Sequence, residues 1–177
     1  MHVEYECRIL EINKEEFIGK LEKAGAIKIG EYFQKRYVYD FNPVISNKWI
    51  RLRTNGKKTT LTIKEITDKT VDGTKELEIE VSSFDDTNNI LNELRYKTRN
   101  YQENSRISYM LDDVEIDIDT WPLIPTYAEI EGSSKECVDN LLKKLSICEK
   151  NITCLDVASI YNEIYNINIL KIKELRF

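Results

Sequence analysis

The sequence predicts an α+β chain: a closed antiparallel β-barrel of about eight strands, with amphipathic helices packed against its outside. Three observations lead there. Apolar and polar residues alternate with period two through most of the chain. The turn signals between these segments suit hairpins rather than crossovers. The polar faces of the segments are dense in charge, which a barrel can enclose and an open sheet would leave in water.

Residues 2–10 alternate and read as the first strand. Residues 13–25 place Phe17, Ile18, Leu21 and Ala24 at helical spacing, ending near Gly25. An aromatic strand is expected over 31–41, and Pro43 to Lys48 reads as a loop. Strands over 49–54 and 59–66 flank Asn55-Gly56, a strong two-residue hairpin signal. Asp72-Gly73 marks a further turn before a strand over 75–81. Residues 85–97 fit a helix with Ile90, Leu91 and Leu94 on one face. Strands over 105–111 and 114–119 meet at Asp112-Asp113, and a link through Pro122 and Pro125 leads to a strand over 127–131. Residues 134–147 and 153–166 read as two amphipathic helices.

Side chains at i and i+2 of a strand share a face. Glu4, Glu6 and Arg8 therefore oppose Val3, Tyr5, Cys7 and Ile9; Arg51 and Arg53 oppose Ile50 and Leu52. Thr62 and Lys64 oppose Leu61 and Ile63, and Glu76, Glu78 and Glu80 oppose Leu77, Ile79 and Val81. Arg106 and Ser108, then Glu115, Asp117 and Asp119, then Glu129 and Glu131 continue the pattern. A single such strand is an ordinary solvated face. Over seven strands the repetition weakens that reading, because carboxylates at successive same-side positions repel one another unless cations neutralise them. Hard divalent metals suit such oxygen ligands, and arginines suit phosphate oxygens. The barrel is thus expected to be charged inside and apolar outside, beneath its helices.

The totals fit one domain over 1–177: 41% of residues are hydrophobic, 32% are charged, and the net charge is -5. That balance argues against a general nucleic-acid binder. No apolar run approaches the length of a membrane span, and the first residues show no signal pattern. Cysteines 7, 137, 148 and 154 lack CxxC pairing, so reduced thiols and a cytoplasmic location are expected. His2 is the only histidine and stands at the terminus, which leaves Ser-His-Asp or Cys-His catalysis without support. There is no Walker-type phosphate loop; Gly56-Lys57-Lys58-Thr59 reads as a hairpin tip.

The order of these charged strands resembles the CYTH superfamily, the triphosphate tunnel metalloenzymes. Glu4-Tyr5-Glu6-Cys7-Arg8 is similar to that family's ExEx[KR] signature. Arg51-Leu52-Arg53, Lys64, Glu78-Ile79-Glu80, Arg106, Asp117-Ile118-Asp119 and Glu129-Ile130-Glu131 follow in family order, and Ser159-Ile160-Tyr161 resembles its closing segment. The resemblance implies an eight-stranded tunnel in which Glu4, Glu6, Asp117, Glu129 and Glu131 hold Mg²⁺ or Mn²⁺. Glu4, Glu6, Glu129 and Glu131 are expected to converge on one ion. It implies that Arg8, Arg51, Arg53, Lys64 and Arg106 hold phosphate. Glu78, Glu80 and Asp119 are the expected catalytic carboxylates, either orienting water or adding to the metal set. The implied activity is hydrolysis of a triphosphate. The alternatives are a class IV adenylate cyclase making cAMP and pyrophosphate, and a triphosphate-binding module without turnover. The expected partner is a small triphosphate, not nucleic acid or membrane, with monomer and homodimer both open. Two departures stand out: Asn104-Ser105 replaces a basic neighbourhood before Arg106, and Asp156-Val157-Ala158 lacks a lysine before Ser159. The link Trp121-Pro122-Leu123-Ile124-Pro125 also replaces a more usual Leu-Gly segment.

Overall fold

Eight strands with one charged and one apolar face have two ways to bury the apolar side, and this chain closes them into a ring under helices. In the computed structural model, which describes residues 1–177, the strands are β1 (His2–Ile9), β2 (Ile27–Asp40), β3 (Lys48–Thr54), β4 (Thr59–Ile66), β5 (Thr74–Glu80), β6 (Thr98–Leu111), β7 (Val114–Thr120) and β8 (Tyr127–Gly132). Their neighbour order is β6-β2-β3-β4-β5-β1-β8-β7, and β7 returns to pair with β6. Every pairing in the ring is antiparallel. No sheet edge is left open within it.

The helices α1 (Lys14–Lys23), α2 (Phe84–Glu93) and α3 (Lys135–Lys144) begin at side-chain caps. Asn13, Ser83 and Ser134 accept the backbone N–H of Glu16, Asp86 and Cys137, satisfying donors that the first helical turn leaves free. Phe17 and Leu21 of α1, with Val138 and Leu141 of α3, cover the outward faces of β1, β6, β7 and β8, where Ile107, Ile116, Ile118 and Ile130 are buried. Leu91 of α2 covers Tyr39, Ile50 and Leu52 of β2 and β3. Leu21 is fully buried in the larger cluster. Leu21→Ala is expected to cost about 2–5 kcal/mol of unfolding free energy, read from urea denaturation.

Four expectations need correction. The apolar neighbours Leu77 and Ile79 on β5 are not beneath a helix; they are 47% and 55% exposed. The helix that follows β5 packs on β2 and β3 instead. β2 and β6 are longer than expected, at 14 residues each. The added stretch of β6, beginning Thr98-Arg99-Asn100, is polar apart from Tyr101, so it shows no alternation that could reveal it. The expected helix over 85–97 stops at Glu93, because Arg95 takes φ +66 and reverses the chain. The expected helix over 153–166 reduces to α4 (Val157–Ser159), capped by Asp156, and a turn of π-helix over Ile160–Ile164. Ahead of it, β9 (Ile152–Thr153) adds to β1. The last residues form β10 (Glu174–Leu175), which lies parallel to β6.

Candidate functional site

The ring encloses a cavity of about 890 Å³, and all five expected phosphate-holding cations line it: Arg8, Arg51, Arg53, Lys64 and Arg106. Alternation puts them there. Each occupies an inward position of its strand; for the four arginines the neighbours Cys7, Ile9, Ile50, Leu52 and Ile107 are buried on the outward face. The cavity lining extends to residues of the β2–β3 connection (44–47), the β4–β5 connection (67–69) and the C-terminal segment.

Inside, most of the cations are neutralised by carboxylates. Arg8 bridges Glu6 at 3.0 Å and Glu129 at 2.5 Å. Lys64 sits between Glu4 at 3.0 Å and Glu76 at 3.1 Å. Arg51 reaches Glu76 at 3.4 Å and Glu78 at 3.2 Å, and Arg53 reaches Glu78 at 3.7 Å. Arg106 pairs with Asp117, with Asp119 at 2.6 Å and with Glu129 at 3.2 Å. Thr62 Oγ1 donates to Glu78 at 2.7 Å, and Asn104 donates to Asp119 at 3.0 Å.

The strand register explains why the acids crowd. Glu6 lies directly opposite Glu131, and Glu129 lies opposite Asp117. Like charges facing each other on neighbouring strands are destabilising. Burial, with Glu6 and Glu76 adding to it against Lys64, pushes Glu4 up to about 8. Burial and Asp119 outweigh Arg106 and push Asp117 up to about 7. Glu129 and Glu76 go the other way: burial is outweighed by Arg8 and Arg106 for the first and by Arg51 and Lys64 for the second.

These shifts set a pH dependence. Carboxyls with raised folded values hold protons that the unfolded chain has already released, so their contribution to stability falls as pH rises from about 4.5 to 8. Glu129 and Glu76 lose their contribution only below the ordinary carboxylate range. Melting of the metal-free protein should therefore peak near pH 5 and drop by on the order of 5 °C by pH 8.5. Adding Mg²⁺ or Mn²⁺ at pH 8 should recover part of that drop in a thermal scan.

The expected site residues are not equally placed. Glu6, Arg8, Asp117, Asp119 and Glu129 are buried or nearly so and joined by ion pairs. Glu131 is exposed at the end of the lumen where β8 finishes. Glu80 is 66% exposed in its side chain and pairs with Lys58 at the β3–β4 hairpin. Glu4, Glu6, Glu129 and Glu131 do not converge as a ready-made ligand set, because Arg8 and Lys64 stand between them. Sequence reading left out two residues. Glu76 shares Lys64 and Arg51, and its place in the Glu76-x-Glu78-x-Glu80 row was the available signal. Arg36 lines the cavity from β2, hidden in sequence among the tyrosines of an aromatic strand. It hydrogen-bonds Asn104, the uncharged residue near Arg106.

The sequence pattern of the CYTH domain family matches residues 2–167. Among solved structures, the chain is similar to the PH1012 protein of Pyrococcus horikoshii OT3, with 24% identity over 86% of this chain and 96% of that one, at a TM-score of 0.75. It is similar to a putative adenylate cyclase from Vibrio parahaemolyticus, with 14% identity over 93% and 98% of the two chains and a TM-score of 0.76. It also resembles the putative adenylyl cyclase HpAC1 from Hippeastrum, a protein with a dominant triphosphatase activity, at 15% identity over 94% and 97% and a TM-score of 0.61. At these identities the likeness is one of fold. No curated protein matches the sequence.

Proposed function

Since this chain belongs to the CYTH domain family, we propose that it hydrolyses a triphosphate held in the barrel lumen with a divalent metal ion. The observation that carries this is the convergence of Arg8, Arg51, Arg53, Lys64 and Arg106 on one cavity, each already paired with carboxylates that an anionic ligand could displace. Arg51 and Arg53 are two residues apart on one face of β3, about 6.6–6.8 Å along the strand. That spacing suits neighbouring phosphates of one chain, and each guanidinium can grip two oxygens.

The carboxylates fit a hard cation. They offer only oxygen donors, and they face one another across β1, β7 and β8. Glu4, Glu6, Asp117, Glu129 and Glu131 would hold Mg²⁺ or Mn²⁺ once a bound anion draws Arg8, Lys64 and Arg106 away from them. When bound, such an ion neutralises charge on phosphate oxygens. The chain's own residues do the rest. Arg51, Arg53 and Arg106 would exchange carboxylate partners for phosphate oxygens and so fix the phosphates in the lumen. Glu78, which faces Arg51 and Arg53, orients water toward the terminal phosphorus. Asp119 holds Arg106 in place, and Glu80 shapes charge at the rim. The four cysteines are all free thiols, which supports our placing the protein in a reducing, cytosolic compartment. No helix is long and apolar enough to cross a membrane.

One assay panel tests the reading: tripolyphosphate, ATP and thiamine triphosphate, each with Mg²⁺ and with Mn²⁺, scored for phosphate, pyrophosphate and cAMP. Metal-dependent release of phosphate is expected, and it should cease in excess EDTA. Formation of cAMP with pyrophosphate would replace hydrolysis by cyclisation. Full turnover in EDTA would remove the metal, and binding without any product would leave a binding module.

A further inference from the structure

β2 overruns the closed ring at one end. β3 finishes at Thr54, directly opposite Lys35, so residues 27–33 of β2 pair with β6 on one side and with no strand on the other. No backbone hydrogen bond from a turn, loop or cap reaches this stretch either. Alternate residues of a strand aim their N–H and C=O groups to opposite sides. About half of the backbone polar groups here are therefore free to pair with another strand. The side chains are open too: Ile27 is 68% exposed, Ile29 55% and Phe33 45%, and the run contains no proline. An apolar edge of this kind is a template for β-pairing unless something covers it. None of residues 27–33 lines the lumen.

The charges on this edge point to what covers it. Lys28 and Glu31 are three residues apart, and plain alternation would put them on opposite faces. The bulge between Lys28 and Gly30 brings them to one face. Lys28 lies opposite Tyr109 and Glu31 opposite Ile107, both on the outward face of β6, and Lys28 Nζ stands 3.1 Å from Glu31 Oε2. When two copies of this edge run antiparallel about a two-fold axis between Ile29 and Gly30, Lys28 of each copy faces Glu31 of the other. The axis makes that opposite-charge pair twice. In the same register Ile27 of each copy lies opposite Tyr32 of the other, on the other face, since their partners on β6 are Met110 and Arg106. The edge is thus complementary to itself in charge and in apolar side chains.

We infer that residues 27–33 of β2 are a docking edge for a second copy of this chain, joined by antiparallel β2–β2 pairing about a two-fold axis. Such pairing presents the same patch on both copies and closes on itself, so assembly stops at two. A contact of about six residues per strand is smaller than a standard interface, so the dimer is a weak one, with a dissociation constant in the micromolar range. It uses no residue of the lumen and is independent of the triphosphate reading.

Sedimentation equilibrium of the whole chain, from about 1 to 500 µM, should show reversible dimers. Lys28→Glu and Glu31→Lys should each weaken association about tenfold or more, because two attractive cross-strand pairs become repulsive. An equimolar mixture of the two variants should recover it. One chain is then acidic at both positions and the other basic at both, so the heterodimer restores every opposite-charge contact. The Lys28 and Glu31 side chains are 49% and 62% exposed, so both variants should keep the wild-type circular dichroism. Amide hydrogen exchange over residues 27–33 should slow as the wild-type concentration rises, a reading that needs no variant. Monomers at every concentration would overturn the proposal and leave the edge to a strand from some other protein. Dimers whose dissociation constant stays within twofold of wild type in both variants, or variants that do not pair on mixing, would overturn this edge as the interface.

Discussion

Arg106→Ala is expected to cost about 3–5 kcal/mol of folding stability near neutral pH and to abolish triphosphate binding. Arg106 is the shared counter-ion of Asp117, Asp119 and Glu129, drawn from two strands. Removing it strands Asp117 and Asp119 in a buried site and leaves Glu129, which faces Asp117 in the β7–β8 register, with Arg8 alone. Breaking one side of a buried ion network is far more damaging than breaking a surface pair, because the remaining charges stay desolvated. The deficit should shrink as pH falls. Asp117 already stands at about 7, and protonation below that value removes one of the repelling charges. Urea denaturation of the variant and wild type at pH 5.5 and pH 8 reads this directly. A loss under about 1 kcal/mol at both values would mean that the network contributes little to the folded state.

Glu6→Gln should reduce turnover by about a hundredfold or more, while the chain stays folded. Glu6 is 5% exposed, accepts from Thr74 Oγ1 at 3.0 Å and holds Arg8 at 3.0 Å. Glutamine keeps the size and one acceptor but loses the charge that a metal and Arg8 share. Glu131→Gln should also abolish turnover, with less effect on Arg8 because Glu131 makes no ion pair of its own. For Glu131→Gln, which breaks no ion pair, removing a carboxylate that faces Glu6 should hold or raise the melting temperature of metal-free protein. Steady-state kinetics across a Mg²⁺ titration, beside circular dichroism, distinguishes the effects. Turnover above half of wild type with an unchanged metal dependence would take Glu6 out of the metal site.

Much of this was legible because a barrel with a charged lumen writes itself in period two. Most inward residues in β1, β3, β4, β5, β7 and β8 have at least one apolar neighbour that points outward, so the lumen could be read strand by strand. The order of the strands around the ring could not; it depends on which pairs of edges meet, and local sequence carries no record of that. Arg36 was missed for a related reason. β2 is flanked by aromatic residues on its outward face, and Tyr37 and Tyr39 dominated the reading of the segment while Gln34, Arg36 and Val38 faced in. The polar start of β6 was missed because Tyr101 is its one apolar side chain, and its strand form comes from pairing with β2. The short C-terminal helix fell to the same kind of tertiary override: β9 pairs with β1 before the helical pattern can begin. The ion pairs were foreseeable in kind but not in detail. Opposite charges on neighbouring inward positions must meet, yet which acid takes which base follows from strand stagger.

The central claim is that the lumen grips a polyphosphate chain through its arginines, and Arg53 tests it most directly. It lines the cavity, has only Glu78 at 3.7 Å as a counter-ion, and is pushed down to about 10 by burial and by Arg51 and Arg106. Calorimetry with a non-hydrolysable triphosphate at fixed Mg²⁺ should give one site per chain for the wild type. Arg53→Ala should bind roughly 10- to 150-fold more weakly, and Arg53→Lys should recover only part of the loss. Equal affinity for wild type and Arg53→Ala would contradict the account, since a guanidinium that faces the bound phosphates cannot be removed without effect.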